Sequence, residues 1–343
     1  MGETWSIEWS HGHATVHAGA GALGRTDFRL DDGRTVNPFY EAPWLGRAEP
    51  VEPPVMTNLR GDWACLPFGH PYGADEGLTG AWAKAAAAAA LDRPLTPGEM
   101  IQHGYGANVD WRLVSQTAAA LTIAVDYPAE SPIAGLTRTI RPVAGQAAID
   151  VSVEIHARRP CRRPFGFHPN FALRGAPASF RIDPGRFAFG LTHPTGERGV
   201  SKSKREARFS SLAEVPLASG GTARFDRLPF AEDTEEIVQL CGIDGSVRLV
   251  DEAERAAWTL TFGKDLPSLL LWMSNRGRQY DPWNGRNLCL GVEPIASAFD
   301  LGTPASVASN PIADAGVPTA LTLDPARPVT VGFRLSGESL AHP

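Results

Sequence analysis

The chain has no apolar run long enough to cross a bilayer, which takes about 20 residues. The nearest candidate, AWAKAAAAAALD at residues 81–92, is shorter and is interrupted by Lys84. It also lacks an excess of positive charge: 32 Lys and Arg against 38 Asp and Glu give a net charge of −6. That balance argues against nucleic acid or an anionic membrane surface as the main partner and suits a neutral polar ligand. Cysteine is scarce. The four, at positions 65, 161, 241 and 289, include no CxxC pair, so they read as reduced, buried small residues. The start, MGETWSIEWSHGH, has neither the basic nor the apolar region of a secretory signal. Together these absences predict a soluble, cytoplasmic protein.

Helix-forming sequence is scarce too; the alanine tract at 81–92, stopped by Pro94, is the best candidate. What is abundant is alternation. Leu121, Ile123, Val125 and Tyr127 alternate with small or polar residues, as do Ile149, Val151, Val153 and Ile155. Trp258, Leu260 and Phe262 repeat the pattern, as do Val329, Val331, Phe333 and Leu335. Each run reads as a half-buried strand. SLLLWM at 268–273 is apolar throughout and fits a strand covered on both faces. The 35 glycines and 29 prolines are spread along the chain, as many turns require. With no repeat and no linker, residues 1–343 are expected to form one all-β domain. It would be a large antiparallel β-sandwich with a few short helices and a helical insertion near 81–92.

Two segments carry chemistry. In NLCLGVEPIAS, residues 287–297, Asn287, Cys289, Gly291 and Glu293 fall on one strand face, and Pro294 ends the ladder. Gly291 would leave room for a ligand beside Glu293. The same pattern fits an exposed glutamate on an edge strand equally well. In FGFHPNFALRG, residues 165–175, His168 lies among Phe165, Phe167 and Phe171 with Pro169 after it. A desolvated imidazole beside a carboxylate is an acid/base pair, although alone the segment fits a satisfied core histidine better. LRGDWACLPFG at 59–69 contributes Arg60, and QHGYGANVDW at 102–111 contributes His103-Gly104 and Trp111.

In this order, RG…PFG, HG…W, HP.F.L and …EP resemble the aldose 1-epimerase (galactose mutarotase-like) superfamily, including its hexose-6-phosphate mutarotase branch. The segments span residues 59–297. The resemblance implies a supersandwich with a sugar in an open cleft on its concave face. It also implies a cofactor-free reaction that interconverts the α and β anomers of a monosaccharide or sugar derivative. Glu293 would be the catalytic base and His168 the acid, with His103 and Arg60 on the substrate. Glu235, or Asp233 in another register, would be the accessory carboxylate, and Trp272 a stacking residue. The chemistry asks for an ionised Glu293 and a protonated His168. Ala107 stands where the phosphate branch commonly has arginine, Asn170 where an aromatic is usual, and Glu235 where aspartate is usual, so the chain reads as a divergent member. A non-catalytic carbohydrate-binding protein and a glycoside hydrolase or lyase, the latter using the acidic cluster at 232–236, are the alternatives. The Arg60-Gly61-Asp62 tripeptide, the alternating His11, His13 and His17, the basic loop at 201–205 and GYGANV are read as incidental, with no metal site among them.

Overall fold

A computed structural model describes residues 2–72, 77–87, 91, 93–197 and 199–341. Two large antiparallel sheets dominate. The nine-stranded sheet runs in the order Arg227–Leu228, Phe180–Pro184, Ser246–Asp251, Ala256–Phe262, Val329–Ser339, Ala148–Ala157, Ile133–Pro142, Leu121–Asp126 and Arg112–Gln116. The eight-stranded sheet has the path Arg208–Phe209, Phe189–Thr192, Thr234–Cys241, Ser268–Asn275, Leu288–Ala296, Phe165–Phe167 and Ala64–Cys65, with Asn170–Ala172 also paired to Leu288–Ala296. A four-stranded sheet is built from Thr4–Trp9, Gly12–His17, Leu23–Arg29 and Thr35–Val36.

Alternation decides which side chains meet between the large sheets. Ile149, Val151, Val153, Leu260 and Phe333 of one pack in the same core as Val238, Leu240, Leu269, Leu271, Leu290 and Val292 of the other. Burying each such side chain contributes about 1.5–3 kcal/mol. The intervening residues of the eight-stranded sheet enter a second apolar cluster. Leu270, Trp272, Cys289 and Ile295 pack there with Trp82, Phe299, Leu301 and Ala305. The sheet is therefore covered on both faces, and Ser268–Asn275 is buried along its whole length.

The predicted helix at 81–92 is a helix at Gly80–Ala87. Residues 88–90 and 92 lie outside the described residues. It buries Trp82 and Ala85, the docking that a short helix needs to persist. The other α-helices among the described residues, Pro97–Met100 and Gly302–Val307, are four and six residues long. Among the described residues no helix is long and apolar enough to cross a membrane.

Candidate active site

Sheet register assembles the site. On adjoining strands Trp272 pairs with Gly291 and Leu270 with Glu293, while Asn170 pairs with Gly291 from the other side. Opposed residues in a ladder project to the same face, so Trp272, Asn170 and Glu293 share the face away from the intersheet core. A Cβ on Gly291 would lie 2.4 Å from Glu293 Oε1 and 3.2 Å from Trp272 Cβ. The glycine leaves space for the glutamate's own carboxyl rather than for a ligand, correcting the expectation from sequence.

His168 turns between the strands Phe165–Phe167 and Asn170–Ala172. Its backbone N–H donates to Asp62 Oδ1 at 3.0 Å, and the Asn170 amide donates to the His168 carbonyl at 2.7 Å and the Gly61 carbonyl at 2.9 Å. Asn170, placed where an aromatic is usual, therefore ties the histidine turn to the Arg60–Asp62 segment. Asp62 is in turn ion-paired to Arg138, both with fully buried side chains. The imidazole stacks on Trp63, with centroids 4.4 Å apart and planes at 22°. Its Nε2 lies 3.5 Å from Glu293 Oε1.

His103 meets His168 edge-on at 4.9 Å between centroids. It holds a left-handed φ of 60°, a conformation that costs a non-glycine residue and clusters at functional sites. The next residue must be glycine, since a Cβ on Gly104 would sit 2.2 Å from the Leu66 carbonyl oxygen. Trp272 stands edge-on to His168 at 5.9 Å. These groups line a cleft of about 370 Å³ that also takes in Trp63, Asp300, Arg278 and Trp283, at the small end of the range for small-molecule sites.

Burial governs the electrostatics. Desolvation, reinforced by the charges of Asp300 and Asp62, pushes the Glu293 carboxyl well above its ordinary value. Desolvation, with His103 alongside, pushes His168 well below its own. His103 falls to about 4, again mainly through burial, with Asp300 opposing. The ionised glutamate and protonated histidine asked of the sequence are thus not the favoured forms in the free protein. Burial favours the carboxylic acid and the neutral imidazole instead. Among the described residues, His103 Nδ1, His168 Nδ1 and Glu293 Oε1 are buried without a hydrogen-bond partner, against the general rule for buried polar atoms.

Of the residues singled out from sequence, Glu293, His168, His103 and Trp272 come together on the cleft. Glu235 stands behind its wall. It accepts from Trp272 Nε1 at 3.3 Å and Ser274 Oγ at 2.7 Å, and lies 4.0 Å from Arg278 Nε. Asp233 faces outward, paired with Arg276 at 2.9 Å. Arg60 is not on the cleft. It is Leu59 that lines it, and adjacent residues of an extended segment face opposite ways. Its backbone instead forms a β-bridge with Glu41, and its guanidinium approaches His17 at 3.4 Å. Asp62 and Trp63, which the sequence reading gave no role at the site, contact His168 through its backbone N–H and its ring. Asp300, seven residues after Glu293, and Arg278, 2.9 Å from Glu197, also escaped the sequence reading. No three His, Cys, Asp or Glu side chains among the described residues form a group that could hold a metal.

No sequence-family model matches the chain, and no curated protein matches it in sequence. Solved structures do match. A protein of Escherichia coli K12 provisionally named an aldose 1-epimerase superposes with a TM-score of 0.66 at 13% identity, over 98% of this chain and 99% of its own. An aldose epimerase homologue from C. elegans gives 0.63 at 13% identity, over 99% and 100%. A galactose mutarotase-like protein from Lactobacillus casei gives 0.60 at 15% identity, over 98% and 100%. Over its whole length, then, the chain has the galactose mutarotase-like β-sandwich fold.

Proposed function

We propose that the protein is an aldose 1-epimerase-type mutarotase that opens and recloses a neutral sugar at the Glu293–His168 pair. The observation that carries the reading is a carboxyl and an imidazole 3.5 Å apart, on a cleft where buried polar atoms of both residues lack partners. A polyhydroxylated ring supplies the missing donors and acceptors, and Trp272, on the cleft, offers an apolar surface to its C–H groups.

Mutarotation needs one base and one acid at the same time. The base takes the proton from the anomeric hydroxyl while the acid gives one to the ring oxygen. The C1–O5 bond breaks, C1 becomes an aldehyde, rotation about C1–C2 exposes its other face, and closure returns both protons. No proton is gained or lost over the cycle. A pair holding a single proton supplies one acid and one base whichever member carries it. The resemblance assigns the base to Glu293; a sugar hydroxyl donating to Oε1 would favour its carboxylate and pass the proton to the His168 side. With Glu293 pushed up and His168 pushed down, the pH range of the one-proton state is widened at both ends. Activity should fade at acid pH, when His168 also protonates, and at alkaline pH, when Glu293 loses its proton. Both limbs belong to the coupled pair.

Two observations shape the substrate reading. Arg278 is the only Lys or Arg lining the cleft among the described residues, and Glu197 already pairs with it, so no free cation for a phosphorylated sugar stands among them. Of the acidic cluster that a hydrolase reading would use, Glu235 is engaged behind the cleft wall by Trp272 and Ser274, and the others are engaged away from it. Glu232 pairs with Lys202, Asp233 pairs with Arg276, and Glu236 accepts from the Ser203 hydroxyl at 2.7 Å. Polarimetry on freshly dissolved single anomers, beside reducing-end release from a glycoside panel, separates these readings. Faster anomeric equilibration without glycoside cleavage is expected. Cleavage without it would overturn the proposal.

A further inference from the structure

We infer that Asp300 is a substrate-contacting, specificity-determining carboxylate, held by His193 as its positioning residue, that accepts a hydrogen bond from a sugar hydroxyl away from the anomeric carbon. This rests on the mutarotase reading and extends it to a second point of contact.

Asp300 lines the cleft with His103, His168 and Glu293, and its side chain is 24% exposed there. Its hold is unusually complete. His193 Nδ1 accepts from the backbone N–H groups of Thr195 at 3.2 Å and Gly196 at 3.0 Å. Backbone N–H groups can only donate, so the ring proton sits on Nε2. Nε2–H then donates to Asp300 Oδ1 at 2.7 Å. The imidazole cannot flip without losing these bonds, so it fixes the carboxylate in direction as well as position. The main chain is fixed as well. Phe299 holds a left-handed φ of 50°, and the Asp300 carbonyl accepts from the His70 N–H at 2.8 Å. A Cβ on Gly69 would lie 2.2 Å from that carbonyl oxygen.

Among the described residues, the other carboxylate oxygen accepts a side-chain hydrogen bond from the Tyr72 hydroxyl at 3.4 Å, the far limit of a hydrogen bond. A carboxylate has about four acceptor positions, so Oδ2 retains capacity towards the cleft. Burial alone would push Asp300 up, but His193 and the neighbouring His103 outweigh it and hold the group below its ordinary value. The two carboxyls of the cleft are therefore pushed in opposite directions. Glu293, at the reacting centre, is pushed towards its protonated form; Asp300 is pushed towards its ionised form, which can only accept. A fixed anionic acceptor selects for a hydroxyl at one place on the ring and penalises a sugar that lacks it, because the carboxylate is then left dehydrated and unpaired.

The test is anomer exchange by NMR with the full chain, on one aldohexose and its monodeoxy analogues, for wild type, Asp300→Asn and His193→Gln. Wild type should lose roughly 10- to 100-fold in kcat/KM for one deoxy position. Asp300→Asn should lose a similar factor on the parent sugar yet show little further loss at that same position, while the other positions keep their wild-type sensitivity. His193→Gln should show the same pattern more weakly. If both variants are equally slowed on every sugar, or match wild type throughout, the assignment of Asp300 falls while the mutarotase reading stands. If wild type accelerates no aldose, both fall. Either variant, shown folded by circular dichroism, is sufficient to decide.

Discussion

Arg138→Met probes how the core fixes His168. Arg138 lies on Ile133–Pro142 of the nine-stranded sheet and reaches the segment beneath His168. It is ion-paired to the Asp62 carboxylate and donates to the carbonyls of Gly21 at 2.9 Å and Asp62 at 3.2 Å. Methionine fills most of the volume but leaves the Asp62 carboxylate and two carbonyls buried without these donors. Removing one partner of such a pair costs about 3–5 kcal/mol, a large share of a total near 5–15 kcal/mol. Burial already pushes Asp62 up to about 6 against the pull of Arg138. Without the arginine it should rise further. A carboxyl raised in the native state binds its proton more tightly when folded, so the penalty is small at low pH and grows as pH rises. The loss should therefore be greater at pH 8 than at pH 5. Adding Asp62→Asn should recover at least half of it, because no charge is stranded and the amide oxygen can still accept from the His168 N–H. Urea denaturation followed by tryptophan fluorescence measures all of this. A loss below about 1 kcal/mol, or a double variant no better than the additive expectation, would refute the reasoning.

Other outcomes follow from the same geometry. Gly291→Ala should displace the Glu293 carboxyl and lower kcat by about 100-fold, with a stability loss of no more than about 3 kcal/mol; an unchanged kcat would contradict the role given to that glycine. His103, at about 4 in the folded protein against 6.5 when free, leaves its proton to the unfolded chain as pH falls. Its contribution is complete above 6.5 and is lost progressively down to about 4, worth about 3 kcal/mol in all. In His103→Asn, unfolding free energy should therefore fall less steeply than in wild type between pH 6.5 and 4. Parallel curves would show that the ring is not held neutral by burial.

The sandwich was legible because a two-residue period survives any tertiary context: Ile149, Val151, Val153 and Ile155 face the core whichever strands flank them. His168 and Glu293 are each followed by proline and His103 by glycine, which drew them out of the sequence as residues on fixed backbone; Trp272 has neither neighbour and was named only through the resemblance and its place ahead of Glu293. Arg60 was misplaced for a complementary reason. A short motif does not say which of two alternating neighbours faces the cleft, and here Leu59 does. Asp300 and His193 are 107 residues apart in sequence, so nothing local announces their pairing. The protonation of Glu293 and His168 could not be read at all, because desolvation comes from the walls that other segments build around them.

The most direct measurement is the rate of α to β exchange by NMR magnetisation transfer across a panel of neutral aldoses, for wild type and Glu293→Gln. The account predicts that wild type accelerates exchange of at least one sugar. Glu293→Gln should lose about 10²- to 10⁴-fold of that rate while still binding the sugar, since glutamine preserves the shape of the cleft. Full activity in Glu293→Gln, or a wild-type protein that binds an aldose without accelerating its exchange, would contradict it.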